Sequence, residues 1–80
     1  MAEVIKVDGT LGSLAEDLTL ETMQGVVGGY IEAVYLGDHV MVVDEEGRLK
    51  GRPVNRAASY LAQQIIVGDV LLLTPEEWDD

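Results

Sequence analysis

Val40-Met41-Val42-Val43 is apolar at four successive positions. A β-strand sends alternate side chains to opposite faces, so this run is apolar on both. It must therefore be central in a sheet or covered on both sides. Ahead of it, Ile31, Ala33 and Tyr35 share one face of a strand-like run, and Tyr30, Glu32, Val34 and Leu36 share the other. Gly37-Asp38 lies between the two runs and marks a β-hairpin. A chain of 80 residues forms a single domain, near the size at which one core only just suffices. It has no Cys, so neither disulfides nor thiolate sites can help. The fold must rest on packing of Val, Leu, Ile and Ala, because Phe is absent. Short β-branched blocks make that core strand-rich, with the option of sharing it across a homo-oligomer.

Around the hairpin, Glu3–Gly9 alternates and reads as a strand closed by Asp8-Gly9. The next stretch has two readings. Ser13 with Glu16 could form a capping box and start a helix, or Leu14, Glu16 and Leu18 could form a returning strand; the strand is preferred. Thr19 is an N-cap for a helix whose stripe is Leu20, Met23, Gln24 and Val27, and Gly28-Gly29 ends it. Gly25 inside that helix costs about 1 kcal/mol relative to Ala and implies a close approach to the sheet. Asp44–Gly51 is a turn region, with a tight hairpin expected around Glu46-Gly47. Asn55 caps a second helix after Pro53, with Ala58, Leu61, Ala62 and Ile65 as its buried stripe. Ile65–Leu73 is a last strand interrupted at Gly68-Asp69, where a bulge or tight turn is expected. The expected fold is α+β: a small, mainly antiparallel sheet of four or five strands with two short helices on one side. Residues 1–74 make one domain and residues 75–80 an acidic tail.

The formal net charge is −10 and the isoelectric point about 4.2. Such a field repels phosphate, which argues against direct nucleic-acid binding and against anionic membranes. No apolar run approaches the roughly 20 residues of a membrane span. The start, Met1–Val7, has neither a basic nor an apolar signal region, so a cytoplasmic location is expected. Mimicry of nucleic acid by carboxylates fits poorly, since many of the acids lie in a turn and at the end of the chain and read as solvated. No enzyme and no cofactor are expected. Thiol chemistry is excluded, His39 sits alone at the hairpin turn beside Asp38, and Ser13 and Ser59 lack a motif. Asp44-Glu45-Glu46-Gly47 could be offered to a hard cation, but acids in a turn are ordinarily solvated, so no metal is expected.

Four of the five cations, Arg48, Lys50, Arg52 and Arg56, fall within nine consecutive positions. Two readings stay open. They neutralise Asp44, Glu45, Glu46 and the acidic end, or Arg52 and Arg56 flank the helix start at Asn55 and hold a small anion. Glu32, between Ile31 and Ala33, either faces solvent or pairs with a cation such as Lys6. Alternatively it faces a ligand and accepts from a base edge or a ribose hydroxyl. Asp69 closes a turn. Trp78, amid acids, is either docked on the domain or an anchor for a partner.

Four spaced elements carry a resemblance: Gln24 to Glu32 (Gln-x-x-Val-Gly-Gly-Tyr-Ile-Glu), Glu45 to Gly47 (Glu-x-Gly), Pro53 to Asn55 (Pro-x-Asn) and Val67 to Asp69 (Val-Gly-Asp). Over Leu20 to Leu73 the chain resembles a family of small proteins of unknown function from bacteriophages, plasmids and bacterial genomes. The resemblance implies a mobile-element origin and brings no activity with it. The expected function is a non-enzymatic acidic accessory protein that binds and modulates or inhibits a host protein, through a sheet edge or Trp78. The alternative is a protein that sequesters a nucleotide-like anion at Arg52, Asn55 and Arg56, with Glu32 nearby, between protomers. A structural virion protein is a third class.

Overall fold

A computed structural model describes residues 2–79. Its strands are β1 (Glu3–Ile5), β2 (Leu11–Ser13), β3 (Ile31–Tyr35), β4 (Val40–Asp44) and β5 (Val70–Leu73). Its helices are α1 (Leu20–Val27), α2 (Arg56–Ala62) and α3 (Pro75–Asp79). The strands form one sheet in the order β2-β1-β5-β4-β3, and every neighbouring pair is antiparallel. The fold is α+β, as the hydrophobic pattern implies.

All five residues of β4 are buried. Val40 and Val42 join Leu14, Val27, Leu71 and Leu73 in one cluster, which α1 covers and against which Trp78 of α3 packs. Met41 and Val43 join Ile5, Ala58, Ile66 and Val70 in a second cluster on the opposite face, under α2. The helices therefore lie on both sides of the sheet, and not on one as expected. The reason is the two-faced apolar run: β4 and its neighbour β5 each need two layers of cover.

Several boundaries differ from the expected ones. β1 ends at Ile5, and a turn follows in which Asp8 Oδ1 accepts from the Thr10 N–H at 2.8 Å. That turn returns the chain at once, pairing Glu3 with Ser13, so β2 precedes Leu14. Leu14 instead turns into the core, and neither the strand nor the helix considered for residues 14–18 forms. Thr19 caps α1 through its hydroxyl oxygen, which accepts from the Thr22 N–H at 3.0 Å, and Gly28 closes it with φ 84°. A Cβ placed on Gly25 would meet nothing within 4 Å, so that glycine serves no close approach. Residues 45–51 form successive turns that lead to α2, with no partner strand and hence no hairpin. α2 ends at Ala62, so Ile65 falls beyond it; Ile65 and Leu61 are exposed, and the buried side of the helix reduces to Ala58 and half-buried Ala62.

The end of the chain is folded onto the domain. Thr74 Oγ1 accepts from the Glu77 N–H at 3.2 Å, and Glu77 Oε1 accepts from the Thr74 N–H at 2.9 Å. This reciprocal capping box, with Pro75 at the first helical position, starts α3. It sets Trp78 against the α1-side core, with its indole N–H donating to the Tyr35 hydroxyl at 3.2 Å. Trp78 thus takes the docked alternative.

Candidate functional site

β4 ends on Asp44, whose side chain is withdrawn from solvent. Its position in the strand is in step with Val40 and Val42, so it points toward the end of α1. Oδ1 accepts from the Glu46 N–H at 2.9 Å, and Oδ2 accepts from Lys50 Nζ at 3.0 Å and Arg52 Nε at 2.8 Å. Both cations also donate to the Gly28 carbonyl, at 3.2 Å from Lys50 and 2.9 Å from Arg52 Nη2. The last carbonyls of a helix lack intrahelical partners and carry partial negative charge, so two cations satisfy them doubly. Gly29 leaves the room this needs, since a Cβ there would strike Lys50 Nζ and Asp44 Oδ1. Burial alone would raise the Asp44 pKa; the Glu46 N–H, Lys50 and Arg52 together overcome it and hold the carboxyl below its ordinary value.

Asn55 is fully buried. Its Oδ1 accepts from the Ala58 N–H at 3.1 Å, while Nδ2 donates to the Ile5 carbonyl at 3.0 Å and the Gly68 carbonyl at 2.9 Å. It caps α2 as expected and also ties β1 to the turn before β5. Asp69 Oδ1 in that turn accepts from the Val7 N–H at 2.9 Å. The structure therefore places Arg52 and Asn55 inside networks that hold the fold. Arg56 is exposed at the start of α2, and Glu32 is exposed on β3; neither side chain is in an ion pair among the described residues. The four spaced sequence elements converge here: Gly28-Gly29, the 45–47 turn, Pro53–Asn55 and Gly68-Asp69 surround the Asp44–Arg52 pair.

A different feature stays open. β3 is the last strand of the sheet and pairs only with β4. The Glu45 N–H donates to the Tyr30 carbonyl, and the Leu36 N–H to the His39 carbonyl. In an antiparallel ladder these bonding positions alternate, so Glu32 and Val34 face β4 while Ile31, Ala33 and Tyr35 turn their N–H and C=O groups outward. No described group bonds to them. β3 also lacks the Pro or Lys that commonly guards an edge. Beside it, on the α2 side, runs a groove of about 340 Å³ lined by Glu32, Val34, Val43, Glu45, Leu49 and Ile65, among others. Leu49 is 86% exposed and Ile65 60%, and Tyr30 and Tyr35 stand exposed near the two ends of the strand. Arg48 Nη2 at the groove donates to the Ile65 carbonyl at 3.1 Å. The hairpin was legible in its alternation; that β3 is an edge was not, because strand order is set by distant pairings, and neither was the groove, because Leu49 and Ile65 come from distant turns.

The His39 ring pairs with Asp38 at 3.1 Å on the exposed hairpin turn. Among the described residues, no group of three or more His, Cys, Asp or Glu is placed to hold a metal ion, and no helix is long and apolar enough to cross a membrane. Each buried side-chain nitrogen or oxygen among them has a hydrogen-bond partner. A family model described as a domain of unknown function (DUF3846) matches residues 1–80, and the chain belongs to that family. The match includes the flanks outside Leu20–Leu73, where the spaced motifs are silent. Comparisons with curated proteins and with solved structures yield no match.

Proposed function

We propose that this member of the family is a non-enzymatic accessory protein of a phage or other mobile element, acting in the host cytoplasm. It binds a host protein through its open sheet edge and so modulates or inhibits it. The observation that carries this reading is the run of outward N–H and C=O groups at Ile31, Ala33 and Tyr35. An extended segment of a partner can add to such an edge as a further strand; main-chain hydrogen bonds give affinity and side-chain pockets give selectivity. Trp78 is folded onto the domain, so the edge is the better-supported contact. The mobile-element origin rests on the resemblance of the spaced motifs. Sequestering a nucleotide-like anion is less well supported, because Arg52 would have to leave Asp44 and Asn55 would have to surrender buried bonds.

Ala33→Pro tests the reading. The Ala33 N–H points outward, so proline there removes a donor from the edge without removing a bond to β4. Tagged full-length chain is used to retain proteins from host lysate, with Arg56→Ala alongside. A host protein retained by the native chain and by Arg56→Ala, and lost with Ala33→Pro at an unchanged melting temperature, is the expected outcome. Retention indifferent to Ala33→Pro, or a thermal stabilisation by nucleotides that disappears in Arg56→Ala, overturns it.

A further inference from the structure

We infer that the segment accepted by the β3 edge is extended and cationic, with Lys or Arg alternating with apolar residues; this rests on the edge-binding reading above. A strand laid beside β3 sends every second side chain over the groove on the α2 side. There cationic side chains meet the carboxylates of Glu32 and Glu45, with their stems along Val34, Leu49 and Ile65, while the intervening apolar side chains fall on the other face beside Ile31, Ala33 and Tyr35. Neither carboxylate is in an ion pair among the described residues; Arg48 also lines the groove, held there by its bond to the Ile65 carbonyl, so Glu32 and Glu45 outnumber the cation beside them. Two of the clustered cations, Lys50 and Arg52, are drawn onto Asp44 and Gly28. The chain as a whole, all five cations counted, carries a net charge of −10. Such a field steers a basic partner to the edge and repels an acidic one. It also disfavours a second copy as the occupant, since two chains each of net charge −10 repel one another.

The test uses the full-length chain and two capped synthetic peptides of about ten residues, long enough to span a strand. One alternates Lys with Val and the other Glu with Val. Titration calorimetry measures binding, and hydrogen exchange follows the amides of Ile31, Ala33 and Tyr35. The basic peptide is expected to bind and to slow exchange at these amides. Its affinity should fall about tenfold or more between roughly 0.05 and 0.3 M NaCl, and severalfold in a Glu32→Gln/Glu45→Gln chain. The acidic peptide should neither bind nor protect. Equal binding of both peptides, or binding indifferent to the double substitution, ends the cationic inference while leaving the edge reading standing. Protection by neither peptide also ends it, and the Ala33→Pro experiment then decides the edge reading separately. Protection that rises with protein concentration alone assigns the edge to a second copy and overturns both.

Discussion

Asp44 accepts from the Glu46 N–H, Lys50 and Arg52 on a carboxylate that solvent does not reach, and this makes it the residue on which pH should act most clearly. Its folded pKa lies below the unfolded value of about 3.9. A depressed folded pKa contributes stability that is complete above the unfolded pKa and is lost as pH falls through the folded one. Stability should therefore hold from pH 7 to about pH 5 and decline toward pH 2. Asp8 and Asp38 shift the same way, Asp8 through its bond from Thr10 and Asp38 through His39, but both are exposed and add little. Removing one partner of a fully buried pair costs about 3–5 kcal/mol. Lys50 and Arg52 retain 36% and 31% side-chain exposure, so Asp44→Asn should cost less, about 2 kcal/mol at pH 7. Urea unfolding at pH 7 and near pH 2.5 measures it, and the gap between native chain and variant should narrow in acid. An equal gap at both would mean that the carboxylate charge is not the tie. That the basic segment could pair with the acids before it was one of two readings open in the sequence; that the pairing would fall on Asp44, through Lys50 and Arg52, was not legible. The acidic run Asp44-Glu45-Glu46 reads as a solvated turn, although Asp44 closes a buried apolar strand. Asn55 was legible as a cap because capping is local; its ties to Ile5 and Gly68 span 50 and 13 residues, which no local pattern reports.

At the scale of the element, α3 gives a compact test. Five residues are short for a helix, and the mutual capping of Thr74 and Glu77 and the docking of Trp78 support this one. Thr74→Ala should cost about 1 kcal/mol as a lost cap. Trp78→Ala should cost more, about 2–3 kcal/mol, since the ring is only half-buried and full burial gives about 3–5. Trp78 is the single Trp, so its fluorescence reads the helix directly. In Thr74→Ala its emission should shift red before far-ultraviolet dichroism reports loss of the sheet. Coincident transitions would mean that α3 melts only with the whole domain. Thr74-Pro75-Glu76-Glu77 spells a capping box with proline at its start, a local signal that the acidity of residues 75–80 masks. The hairpin, the Thr19 and Asn55 caps and the Gly28 stop were legible because each depends on residues within a few positions. The start of β2 was not, since the Asp8–Thr10 turn sets its register and an apparent alternation at Leu14, Glu16 and Leu18 competed with it. Placing helices on both faces was within reach, because Val40–Val43 already demanded two layers.

For the whole molecule the deciding quantity is charge over size. The chain carries −10 within principal extents of 30 × 24 × 20 Å. At about 0.01 M salt the screening length is near 30 Å, so acids at opposite ends repel one another; at about 0.5 M it falls to a few ångströms. Self-repulsion opposes the compact state, and screening relieves it. The Asp44 cluster works the other way, but it is short-range and partly buried, and salt weakens it less. Relief of repulsion should therefore win. Raising NaCl across that range should lift the melting temperature by about 5 °C, equivalent to roughly 1 kcal/mol in a domain of this size. Asp44→Asn should show the same rise, because it changes the net charge by a single unit. A melting temperature that falls with salt would mean that attractive pairs outweigh the repulsion. The surface field invoked for choosing a basic partner would then be too weak for that role.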